Sequence, residues 1–62
     1  MERLNTADAA RYLGKPVATL RWWRHMDLGP RSYALGRSVV YDKADLDAWL
    51  ADQKAATVRG GR

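Results

Sequence analysis

No cysteine occurs in this 62-residue sequence, so disulfide bridges and thiolate metal sites are both excluded. The redox compartment is left open by the same absence. Phenylalanine is missing too, and proline appears only twice. A core must then be assembled from Leu, Val, Ala and some of the three Trp and three Tyr, each of which buries a large area. No apolar run approaches the roughly 20 residues of a membrane span, and no apolar signal-peptide segment follows the N-terminus. The expectation is one domain with no membrane partner, in the cytoplasm, near the lower size limit for a core that folds without staples.

Acidic residues are few, seven against eleven Lys/Arg, and they are unevenly placed. Residues 1–41 carry seven Lys/Arg against Glu2, Asp8 and Asp27, a net of +4. Residues 42–53 carry Lys43 against Asp42, Asp45, Asp47 and Asp52, a net of −3, and Lys54, Arg59 and Arg62 return residues 54–62 to +3. A basic surface opposite an acidic one orients a protein on a polyanion.

The segment Tyr12-Leu13-Gly14-Lys15-Pro16-Val17-Ala18-Thr19-Leu20-Arg21-Trp22-Trp23-Arg24 decides the reading. A short amphipathic stretch stops at a glycine, crosses a tight Lys-Pro connection and restarts as a helix. Upstream, Asn5 is a good N-cap with Asp8 three residues on to complete a capping box, and Leu4 stands where a hydrophobic staple would begin. The first helix is expected over about 6–13, with Ala9, Ala10 and Leu13 at core spacing and Gly14 as its left-handed stop. The second starts near Pro16, since proline is tolerated in the first turn. At 100° per residue Leu20 and Trp23 fall together as core, with Thr19 and Met26 along one edge. Ala18, Arg21, Trp22 and His25 face the other way, and Arg24 flanks them. Gly29-Pro30 ends the segment.

Residues 31–41 change period. Two short strands around Gly36-Arg37 form a hairpin, with Leu35, Val39 and Tyr41 expected inward and Val40 and Arg37 outward. Asp42 and Asp45 repeat the cap pattern, and a third helix is expected over about 43–53 with Leu46, Trp49 and Leu50 on its core face. The order helix, helix, hairpin, helix predicts an α+β fold, a minimal winged helix-turn-helix with a two-stranded wing and a C-terminal helix. It occupies residues 1–53, and 54–62 are expected to be a flexible basic tail.

A helix-turn-helix places its second helix in the DNA major groove. The candidate contacts to double-stranded DNA are Lys15, Ala18, Thr19, Arg21, Trp22, Arg24, His25 and Arg37. Arg21 is the candidate base reader, because an Arg fork bonds guanine O6 and N7 together. Arg24, Lys15 and Arg37 suit phosphate, and Trp22 suits equally a thymine methyl, a neighbouring protomer, or a purely structural place covering the wing. His25 and Asp27 alone do not complete a metal site. The carboxylates of the third helix read as cap and solvated face rather than as an acid/base pair, and no Gly-rich phosphate loop or Ser-His-Asp arrangement is present. No enzyme, cofactor, metal or small-molecule ligand is expected. A protein-interaction module using the third helix and the tail is the rival class.

From Leu4 to Leu50 the chain resembles the small excisionase-like winged-helix proteins of the MerR superfamily. The resemblance rests on Ala9-Ala10, Tyr12-Leu13-Gly14, Thr19-Leu20, Trp23-Arg24, Gly29-Pro30, Leu35-Gly36-Arg37, Val39, Tyr41 and Ala44 through Leu50, in that order. It implies a recognition helix in the major groove, a wing on the backbone or minor groove, cooperative self-association along repeated sites and DNA bending. In phage and element excisionases it further implies direction of an integrase, a tyrosine or serine recombinase, in the nucleoid of a bacterial host. MerR-like and AlpA-like relatives regulate transcription instead. The chain departs from the common pattern at Pro16, where many relatives have a Ser cap, and at Trp22, where a polar residue is usual. A third departure is at Ser38 and Val40, in a strand that is often more basic. It has no long coiled-coil helix, so a free monomer is expected rather than a symmetric dimer.

Overall fold

Asn5 both closes a short strand and caps the first helix, and the rest of the chain is arranged around that junction. The computed structural model describes residues 2–61. Met1 and Arg62, the outer ends of the segments expected over 1–53 and 54–62, lie outside the described residues. In chain order the elements are β1 (Arg3–Asn5), α1 (Thr6–Leu13), α2 (Val17–His25), β2 (Tyr33–Leu35), β3 (Ser38–Asp42) and α3 (Lys43–Thr57). Three helices and a three-stranded antiparallel sheet form an α+β, winged-helix-like fold.

The first helix falls where its caps and periodicity put it. Asn5 Oδ1 accepts the Asp8 N–H at 2.7 Å, which satisfies one of the orphan donors at the helix start. The second half of the expected capping box does not form. Asp8 accepts instead from Arg11 Nη1 at 2.9 Å, one turn further along. Ala9 and Ala10 are buried and Leu13 is partly so.

The strand β1 was not expected, and it adds a third member to the two-stranded wing. The sheet order is β1-β3-β2, with Arg3, Leu4 and Asn5 opposite Asp42, Tyr41 and Val40. A hairpin alone is marginal in water, so pairing β3 on both edges gives the wing a base joined to α1. Across the other edge Tyr33, Ala34 and Leu35 pair with Val40, Val39 and Ser38.

That register corrects two of the expected orientations. Cross-strand partners share a face, so Leu35, opposite Ser38, lies on the face of Val40 and not with Val39 and Tyr41. Leu35 stands at the hairpin tip and is 50% exposed. Val40, expected outward, is only 9% exposed, because it sits in the central strand between Tyr33 and Asn5. The Tyr33 hydroxyl reaches along the same face to donate to Asp42 Oδ1 at 3.1 Å, which carries its ring past Val40.

Asp42 holds the N-cap position of α3, but its side chain makes no capping bond. Its carboxylate accepts from Tyr33 instead. The helix itself runs to Thr57, four residues beyond the expected end. Ala51 to Thr57 are all exposed, so this extension rests on helix propensity, supplied by Ala, Gln and Lys, and not on packing. Leu46 is fully buried, Trp49 is half-buried, and Leu50, expected in the core, is exposed at its edge.

The core is small. Ala9, Ala10, Leu20, Tyr41 and Leu46 are its buried members, with Leu4, Leu13, Val17, Trp23 and Val39 packed around them. Trp23 and Trp49 meet with ring centroids 5.1 Å apart and planes tilted by 49°, an offset geometry that aromatic pairs favour. This contact ties α2 to α3.

Candidate nucleic-acid interface

The turn between α1 and α2 has a specific hydrogen-bond pattern. Gly14 takes φ +71°, its N–H donates to Arg11 O at 3.2 Å, and the Lys15 N–H donates to Ala10 O at 2.9 Å. Those two bonds form a Schellman stop, which needs a left-handed residue at the glycine position. Pro16 then stands as the N-cap of α2 with no side-chain cap, and its carbonyl accepts from Thr19 N–H at 3.0 Å. The chain is thus redirected within a few residues, and α2 leaves with its orientation fixed at the first turn.

Burial of Leu20, and partial burial of Val17 and Trp23, decides which side of α2 faces solvent. Ala18, Arg21, Trp22 and His25 are exposed together on the opposite side, as helical spacing predicts. Thr19 is half-buried on the core flank and does not share that face. Met26, expected along the core edge, is 50% exposed, because the chain leaves the helix there and turns away at Asp27, whose φ is +58°. Lys15 is exposed in the inter-helix turn, and Arg37 is exposed at the tip of the hairpin. The eight candidates therefore divide into one helical face, two separate outposts, a flank residue and a residue turned inward. No Asp or Glu interrupts α2.

Arg24 is the flank residue, and it is exposed. Its Nε donates to Ser32 Oγ at 3.1 Å, across the loop that leads to the wing. Ser32 also lies by the buried Tyr41, whose phenol is pushed up by burial, against the smaller opposing effects of the Ser32 hydrogen bond and the Arg24 charge. Sequence reasoning missed Ser32 and Arg31. The available signal was a second cation and a hydroxyl directly after Gly29-Pro30. A groove of about 620 Å³ opens here, lined by Arg24, Asp27, Arg31, Ser32, Tyr33 and Asp45 among others. Its two cations and two carboxylates give it mixed charge.

On the far side, Tyr12, Lys43 and Asp47 join α1 to α3. The Tyr12 hydroxyl donates to Asp47, Lys43 Nζ lies 3.4 Å from the same carboxylate, and Lys43 stands 5.3 Å from the Tyr12 ring centroid. The acidic face expected on α3 is therefore partly neutralised by its own lysine. Among the described residues no three His, Cys, Asp or Glu side chains cluster as metal ligands, and no helix is long and apolar enough to cross a membrane.

A helix, a glycine-stopped turn, an exposed basic helix and a hairpin beside it define a winged-helix-like helix-turn-helix domain. Residues 3–54 match the family model described as a helix-turn-helix domain, and the chain belongs to that family. No curated protein matches it. Membership in this family supports DNA binding as the class of activity.

Proposed function

We propose that the protein binds double-stranded DNA sequence-specifically, with α2 in the major groove and the β2–β3 wing on the adjacent backbone. The observation that carries this reading is the exposed, acid-free face of α2, where Arg21, Trp22 and His25 stand around Ala18. Arg21 reads a guanine, while Lys15 from the inter-helix turn, Arg24 from the helix and Arg37 from the hairpin tip hold phosphates. The small Ala18 lets the helix approach the groove floor. Within this class we favour an excisionase, a recombination directionality factor that loads on repeated sites, bends the DNA and directs an integrase toward excision. The resemblance of residues 4–50 to the excisionase-like proteins supports this choice. A small transcriptional regulator shares the same DNA chemistry and differs only in its target.

The test is a mobility-shift titration on random duplex at low salt, repeated as salt is raised. Neutralising about four to six phosphates gives a slope of log K against log[salt] of roughly −4 to −5, near −0.9 per contact. A slope near zero would assign the activity to the rival class, a protein-interaction module built on α3 and the tail. Duplexes with one and two copies of a selected site then separate cooperative loading from independent binding. Their gel mobility with the site at the centre or the end reports bending.

A further inference from the structure

The reading face of α2 has two chemically different edges. Arg21 and His25, four residues apart, form a polar edge; Trp22 and Met26, also four apart, form an apolar one. Trp22 is 55% exposed and Met26 50%, and the Met26 N–H donates to Trp22 O at 3.0 Å, so the two lie one turn apart on the same side. Among the described residues, about half of each side chain is left uncovered. The core flank of the helix is already filled by Leu20 and by Trp23 against Trp49. An apolar partner that buried the Trp22 ring would recover the free energy its exposure forfeits.

We propose that Trp22 and Met26 form an apolar reading edge that recognises the 5-methyl groups of thymines in the major groove. The proposal rests on the DNA-binding reading and names the base class that this helix selects. Charge chooses the occupant. Trp22 stands on a helix without acids, bordered by Arg21 and His25, and Met26 caps that helix with a single acid, Asp27, beyond it, in a half of the chain with a net charge of +4. Such surroundings suit a polyanion that carries apolar groups on its groove floor. Thymine is the one base that presents a methyl group there. The arrangement predicts a site in which a thymine lies next to the guanine read by Arg21.

The experiment begins with duplexes selected from a random pool by the full-length chain. Each thymine in the selected site is then replaced by deoxyuridine, which deletes the methyl and keeps the pairing. At one or two positions the replacement weakens binding about fourfold, the factor equivalent to roughly 0.8 kcal/mol for one apolar carbon removed from water. Trp22→Ala binds the thymine and uracil duplexes equally, and Trp22→Phe restores part of the preference. Circular dichroism confirms that these exposed-site variants keep the fold. Wild-type protein that binds every uracil duplex as tightly as its thymine parent overturns this inference and leaves specific DNA binding standing, as does a Trp22→Ala variant that retains the preference. In either case Trp22 is left as a surface for another protein. A pool that yields no preferred sequence overturns the DNA-reading proposal and this one with it.

Discussion

Arg24 Nε donates to Ser32 Oγ at 3.1 Å, so the last turn of α2 is tied to the loop just before the wing strand β2. The bond spans eight residues and a loop containing Gly29-Pro30, and it uses only one of the guanidinium nitrogens that donate. The terminal nitrogens remain available for the phosphate contact proposed above. On the proposed DNA-binding reading, Ser32 is thus placed to orient Arg24.

This gives a coupling that can be measured. Ser32→Ala is expected to weaken DNA binding two- to fivefold, from about 0.5–1 kcal/mol for an exposed hydrogen bond, without changing the salt slope. Arg24→Ala weakens it further and makes the slope shallower by about one. In the Arg24→Ala background the serine substitution costs nothing more. Additive losses in anisotropy titrations of the double variant would show that the two residues act separately.

Base reading and backbone holding separate in the same assay. Arg21→Ala should lose on the order of 1–3 kcal/mol on the selected site and relax the preference at one base pair. Arg37→Ala, at the exposed hairpin tip, should weaken all duplexes to a similar degree. Equal and sequence-independent losses for both would mean that Arg21 touches only backbone.

Two glycines differ in a way that thermal unfolding will resolve. Gly14 and Gly29 both have positive φ, +71° and +76°, so alanine at either site costs about 1–2 kcal/mol in backbone strain. At Gly14 an added Cβ meets nothing within 4 Å, whereas at Gly29 it would lie 2.8 Å from Trp23 Cε3. Overpacking adds roughly 1–3 kcal/mol there. Gly29→Ala should thus lower Tm clearly more than Gly14→Ala and disturb the Trp23–Trp49 pair, with a change in tryptophan fluorescence. Equal Tm losses would mean that the Trp23 ring gives way freely.

The glycine-stopped turn and the faces of α1 and α2 were legible because each has a local signal: Asn5 and Gly14 at the ends, Leu20 and Trp23 at core spacing. The exposure of Arg21, Trp22 and His25 followed from the same wheel. The strand β1 was not legible, since Arg3-Leu4-Asn5 has one apolar residue and becomes a strand only by pairing with β3. The face of Leu35 could have been read from loop length. A two-residue connection at Gly36-Arg37 pairs Leu35 with Ser38, and so places it with Val40. The end of α3 was hidden for the opposite reason: its apolar period stops at Leu50, while the helix continues on propensity. Arg24–Ser32 joins elements across a loop, and no sequence period reports such a contact.

The last prediction concerns pH and lies away from the reading face. The hydrogen bond from Tyr12, and after it the Lys43 ammonium, holds the Asp47 carboxyl below the ordinary carboxylate value. The Tyr12 and Asp47 partners push the Lys43 ammonium up. A depressed carboxyl contributes stability that is complete above its unfolded pKa, near 3.9, and is lost as pH falls through the lower folded value. A raised ammonium contributes stability that is complete below its unfolded pKa, near 10.4, and is lost as pH rises through the higher folded value. Both contributions are whole through the neutral range, and each fails at its own end. Tyr12→Phe removes the leading cause of both shifts, so denaturant midpoints measured across pH should fall less steeply at both extremes than in the parent protein. Asp47→Asn should abolish this cluster's share of the acid limb, and should also remove the second of the two partners that raise Lys43. If Tyr12→Phe leaves both limbs unchanged, the hydroxyl does not set these pKa values and the α1–α3 junction is held by packing alone.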